Sequence, residues 1–133
     1  MRFSFEHLPG PSADVARPAL EVAILGSEDT VTCLCLVDTG SLHNRFGTWV
    51  ADLAGVDLTG ATEQTIGIGG TTISARTVTA TLQLAEFRWE APVSFCQPWP
   101  FDFQLLGRQG FLRWFTVNID AANETLDIVA NTQ

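Results

Sequence analysis

An apolar run, Leu34-Cys35-Leu36-Val37, leads straight into a carboxylate and a turn, Asp38-Thr39-Gly40-Ser41. An ionised Asp is costly in apolar surroundings unless charge or hydrogen bonds compensate it. A carboxyl at the end of a buried strand therefore implies a chemical use, and the use open to it is giving or taking a proton. The residues that follow suit that use. Gly40 allows close backbone approach, so that its N–H can hold the carboxylate. Ser41 can donate a further hydrogen bond to the charged form of Asp38, and the hydroxyl of Thr39 can both donate and accept.

Two further segments stand out. Leu105-Leu106-Gly107-Arg108 is an apolar-apolar-glycine element, and Ile66-Gly67-Ile68-Gly69-Gly70-Thr71 is glycine-rich between two β-like runs. Taken in order with Asp38-Thr39-Gly40, these motifs resemble the retropepsin-like aspartic proteases, over residues from about 20 to 115. The resemblance implies that Asp38 is catalytic, with Thr39, Gly40 and Ser41 supporting it. Leu106, Gly107 and Arg108 would be structural, packing beside the catalytic loop. Ile66 to Gly70 would form a mobile flap whose glycines bend and whose Ile68 supplies an apolar tip. Leu36, Phe103 and Leu105 would line substrate pockets. One departure is visible: retroviral members pair the Arg after the glycine with an Asp shortly after Asp-Thr-Gly, whereas here Leu42, His43 and Asn44 occupy that stretch.

Composition narrows the alternatives. A chain of 133 residues has room for one modest core, and 46% apolar against 17% charged residues marks it as globular. A net charge of −8 with scattered Lys and Arg offers no basic stripe, which argues against nucleic acid as a partner. No apolar run reaches the roughly 18 residues of a membrane span, and the first residues lack a secretory pattern, so the expectation is a soluble cytoplasmic protein. The three cysteines, Cys33, Cys35 and Cys96, lack metal-ligand spacing and read as reduced structural thiols. Neither metal nor cofactor is expected.

The elements that must position these residues are almost all strands. Leu20 to Leu25 and Val31 to Val37 form a hairpin around Gly26-Ser27-Glu28-Asp29 that delivers Asp38 at its far end. Thr48 to Gly55 reads as a short helix with Thr48 as cap and Gly55 as stop. Strands return from Thr62, through the glycine-rich segment and on to Leu84. Within Thr71 to Leu84 the apolar parity switches from odd (Ile73, Ala75) to even (Val78 to Leu84), which predicts a bulge near Arg76-Thr77. Phe87 to Phe95 alternates cleanly, with Pro92 suggesting an edge. A loop at Gln97 to Pro100, a strand at Phe103 to Leu106, a brief helix at Gln109 to Phe115 and a hairpin of Thr116–Asp120 with Thr125–Val129 complete the chain. Trp99, in the Pro-flanked loop, is equally suited to touching substrate or covering a core edge. Residues 1–18 are expected as an N-terminal segment with a Pro-rich linker, and 19–133 as a single domain. The fold class is all-β, a closed retropepsin-like barrel or sandwich with one or two short helices.

Aspartic proteases need two carboxylates that share one proton, one to deprotonate water and one to polarise the scissile carbonyl. This chain supplies one. Asp120 precedes a hairpin turn, Asp127 lies in an alternating strand and Asp52 in the short helix. The implied arrangement is a homodimer with one Asp38 from each copy at the two-fold axis, cleaving peptides at apolar residues with an acidic optimum. A retropepsin-fold module that grips extended peptides without cutting them is the main alternative. An actin-like phosphate site is excluded by the lack of two α/β lobes.

Overall fold

The computed structural model describes residues 1–11 and 13–132, with Ile68 described by its backbone alone. Its strands are Arg2–Ser4 (β1), Glu6–His7 (β2), Ala16–Arg17 (β3), Ala19–Leu25 (β4), Thr30–Val37 (β5), Asn44–Gly47 (β6), Thr62–Ile68 (β7), Thr71–Leu84 (β8), Phe87–Gln97 (β9), Gln104–Leu106 (β10), Phe115–Asp120 (β11) and Thr125–Ala130 (β12). One α-helix, Thr48–Ala54 (α1), and one wide helical turn, Arg108–Leu112, interrupt them.

Hydrophobic alternation sets the pairing. In β4 and β5, Leu20 faces Cys35 and Val22 faces Cys33, so inward residues meet inward residues across the ladder. The sheet runs β4-β5-β10-β6-β9-β8, and a β8 pairing back to β4 closes it into a six-stranded barrel. Closure removes the open edges that a sheet of this size would otherwise leave. Phe46, Phe95, Phe111, Leu106 and Leu82 fill the interior and are almost wholly inaccessible. A second, three-stranded sheet, β1-β12-β11, packs Leu126 and Ile128 onto the same core.

The β4–β5 turn also finishes the helix. Glu28 and Asp29 donate their backbone N–H groups to the Ala54 carbonyl at 3.0 and 3.2 Å, and the Ser27 hydroxyl donates to the Gly55 carbonyl at 2.8 Å. These bonds satisfy carbonyls that a helix end leaves without partners. The approach is so close that a Cβ on Gly26 would overlap Ala54. Gly55 stops the helix in the left-handed region at φ 76°. The cap in front is Gly47 rather than Thr48, which lies in the first turn, and no side chain caps the N-terminus.

Three further expectations change. The β8–β9 register runs one-for-one from Ser74↔Gln97 to Leu84↔Phe87, so no bulge restores a common face. The parity switch instead records two cores: Ala80, Leu82 and Leu84 face the barrel interior, while Ile73 and Ala75 join Cys96, Ile66 and Trp99 in a small cluster apart from it. Pro92 is tolerated because β6 joins β9 only from Val93 onward, which leaves β9 with β8 as its ladder partner at that position. The Pro-rich stretch is not a loose linker. β2 pairs with β3 around it, Leu8 is buried, and β1 adds a strand to β12.

The three thiols are free and buried. Loss of water around the thiolate pushes Cys33 and Cys96 up to about 11, and Cys35 well above its ordinary value. At pH 8, on the order of one Cys33 or Cys96 in a thousand would be thiolate, the reactive form. The native protein should therefore react with Ellman's reagent far more slowly than a small thiol, and all three cysteines should react promptly in denaturant.

Candidate active site

The site is built by threading. β10 lies between β5 and β6, parallel to β5 through Leu105↔Leu36 and Leu106↔Val37, and antiparallel to β6 through Leu105↔Arg45. The chain leaving β5 at Asp38 must therefore cross the end of β10 before returning as β6. Residues 38–43 make that crossing, and their shape is fixed from below. Asp38 donates its N–H to the Leu106 carbonyl at 2.9 Å, Arg108 donates to the Ser41 carbonyl at 2.9 Å, and Gln109 donates to the Leu42 carbonyl at 2.9 Å. Gly107 donates to the side-chain oxygen of the fully buried Asn44 at 3.0 Å. Residue 107 has no space for a side chain: a Cβ would overlap the His43 carbonyl oxygen and come within 2.8 Å of the Ser41 oxygen.

Within this loop the Asp38 carboxylate accepts the Gly40 N–H at 3.0 Å. A Cβ at residue 40 would lie 3.3 Å from the same oxygen, so glycine keeps the approach open. The expected bond from Ser41 to the Asp38 carboxylate is not made. The Ser41 hydroxyl donates to the His43 carbonyl at 2.7 Å, because the tight turn brings that acceptor over it, and Ser41 braces the loop rather than the acid. Thr39 is exposed, and its hydroxyl makes no hydrogen bond among the described residues.

Alternation along β5 places Cys33, Cys35 and Val37 inside the barrel and Leu34, Leu36 and Asp38 on its outer face, where all three remain partly exposed. Leu105 stands beside Leu36 on that face. Phe103 stacks on Phe101 at 4.9 Å between ring centroids, and with Leu36 both border a cavity of about 300 Å³. Leu8, Pro9 and Arg17 supply its other wall. Those three were missed in the sequence because a Pro-rich stretch signals no element; only an apolar Leu8 ahead of the prolines hinted that the segment packs.

The glycine-rich segment is the tip of the β7–β8 hairpin. Ile68 pairs with Thr71 around Gly69 and Gly70, whose positive φ values of 57° and 80° fit the two-residue turn that matches strand twist. Ile66, opposite Ile73 and close to the tip, packs on the second cluster, and Gly67 beside it is exposed. The apolar-tip role expected of Ile68 concerns a side chain outside the described set. Trp99 covers that second cluster and donates its ring N–H to the Phe103 carbonyl at 2.9 Å, so it acts on a core edge. Arg108 is exposed, and its guanidinium has no partner among the described residues.

Asp102 also lines the cavity beside Leu36 and Phe103, whereas three other acids lie elsewhere. Asp120 is held below the usual carboxylate range by hydrogen bonds from the Asn123 side chain and backbone, and Asp127 pairs with Arg2 at 2.9 Å. Both belong to the β11–β12 hairpin. Asp52 is exposed on α1.

This architecture is the retropepsin fold. A retropepsin-like aspartic protease from Rickettsia conorii matches over 97% of this chain and 98% of its own, with a TM-score of 0.59 and 17% identity. The retroviral protease-like domain of Ddi1 from Leishmania major matches over 86% of this chain and 89% of its own, with a TM-score of 0.62 and 16% identity. By sequence, no family model and no curated protein matches.

Gly107→Ala should be strongly destabilising, because the atoms it meets are backbone and cannot rotate aside. A loss of about 3 kcal/mol or more is expected, read as a fall in the urea midpoint. Gly67→Ala, where a Cβ meets nothing within 4 Å, is the control and should cost about 1 kcal/mol or less.

Proposed function

We propose that the chain is one half of an aspartic endopeptidase, completed when two copies bring their Asp38 residues together. The observation that carries this reading is the presentation of Asp38. It is a single carboxylate that accepts the Gly40 N–H, on a residue whose own backbone N–H donates to the Leu106 carbonyl, and it lies on a face shared with the apolar Leu36 and Leu105.

Two such carboxylates side by side share one proton. The ionised one takes a proton from water, whose oxygen attacks the peptide carbonyl, while the protonated one gives its proton to the carbonyl oxygen. Collapse of the tetrahedral species then returns a proton to the departing nitrogen and breaks the C–N bond. Because the pair must hold one proton, activity should peak on the acid side of neutrality. The unengaged Thr39 hydroxyl suits a hydrogen bond to the partner's loop, and the β7–β8 hairpin, carrying Gly67, Gly69 and Gly70, suits a flap closing over an extended peptide. Leu36, Phe103 and Leu105 would receive apolar substrate side chains. No helix is long and apolar enough to cross a membrane among the described residues. The three unpaired thiols support a reducing, cytoplasmic setting.

Sedimentation should give twice the 14.4 kDa chain mass. Asp38→Asn should leave that mass unchanged and reduce cleavage of an unfolded protein at acid pH by at least about 100-fold. Activity retained in the variant would exclude the mechanism. Peptide binding without turnover at any pH would point instead to a non-catalytic peptide-binding module.

A further inference from the structure

Arg45 is in register with Leu105, and Leu105 with Leu36. Register partners share a face, as do alternate residues of one strand, so Asp38, Leu36, Leu105 and Arg45 all lie on the outer face. The neighbours of Arg45 confirm its direction, since Asn44 and Phe46 are fully buried on the other side. Two strand spacings, about 10 Å, separate the backbones of Leu36 and Arg45. The cavity at Leu36 and Phe103 therefore lies on one side of Leu105, and a cation on the other.

That cation is unserved. Arg45 is partly exposed, but its Nε is buried without a hydrogen-bond partner, and its guanidinium makes no ion pair among the described residues. The next residues in the row, Ser94 and Thr77, are engaged with each other through their hydroxyls at 2.7 Å. A buried donor left unpaired is costly, and more so on a charged group. An arginine facing outward beside an apolar floor is organised to receive a planar anion through two parallel N–H donors. With a net charge of −8 the chain as a whole repels acidic peptides, so a local cation is what would admit one.

We propose that Arg45 is a specificity-determining residue that binds an Asp or Glu side chain of the substrate, within two positions of the apolar residue taken up at Leu36 and Phe103. The assignment rests on the protease reading of the cleft. Its test uses octapeptides of one parent sequence with a central Leu-Phe pair and Glu, Gln or Lys at each of the two positions on either side. In the native protein, Glu should exceed Gln in kcat/KM by about tenfold at one of those positions, the size expected of a charge-assisted contact. The preference should persist in Arg45→Lys, vanish in Arg45→Gln and pass to the Lys peptide in Arg45→Glu. Equal rates for the Glu and Gln peptides in the native protein, a comparison that needs no variant to fold, would overturn the assignment and leave the protease reading standing. So would a Glu preference surviving in Arg45→Gln. If no peptide is cut, the protease reading fails separately, and fluorescence anisotropy with the same labelled peptides decides. Glu binding at least about fivefold tighter than Gln, reversed in Arg45→Glu, supports the site, and equal affinities reject it.

Discussion

The structure depends on one close approach, the passage of the Asp38 loop over Gly107. β10 can lie between β5 and β6 only if the chain joining those two strands crosses its end, and that crossing leaves no volume for a side chain at residue 107. Four backbone N–H groups, those of Asp38, Gly107, Arg108 and Gln109, are satisfied within the crossing. The loop is therefore tied at both ends and along its length. Because the tie lies beneath the acid, the carboxylate can be held in place while its outer side stays open.

The barrel serves two surfaces at once, and β8 shows how. Its even residues feed the interior with Ala80, Leu82 and Leu84, while Ile73 and Ala75 build a second apolar patch near the start of the strand. That patch holds Ile66 and Trp99, so the glycine-rich hairpin is packed close to its tip although most of its residues are exposed. Beyond that contact the two-glycine turn, Gly69-Gly70, is where the backbone bends most freely.

Much of this was legible in the sequence, for physical reasons that also explain the misses. The β4–β5 hairpin, the position of Asp38 and the glycine at 107 follow from alternation and from residue types with few other uses. The parity switch in β8 is visible in the sequence, but a local pattern cannot tell a register slip from a second apolar cluster on the opposite face. Proximity in sequence makes Asp38 a possible acceptor for the Ser41 hydroxyl, whereas turn geometry gives it to the His43 carbonyl. The wall formed by Leu8, Pro9 and Arg17 was illegible, since prolines announce the absence of a ladder and not what the loop packs against. The place of Arg45 beside Leu105 on the outer face follows only from the order of strands.

The Asn44 clasp completes the picture. Among the described residues Arg108 makes no ion pair, and Leu42-His43-Asn44 after the Asp38 turn carries no carboxylate. The bracing passes instead to neutral amides: Asn44 accepts from the Gly107 N–H at 3.0 Å, and the buried Gln104 accepts from the Gly47 N–H at 2.8 Å. An ion pair through a carboxylate weakens as pH falls toward its titration, whereas an amide does not titrate at all. A loop held by amides therefore keeps these bonds through the pH range in which carboxylates titrate. Burial strengthens both accepted bonds, because water cannot compete for those backbone donors, while the buried Nδ2 of Asn44 is left without a partner among the described residues.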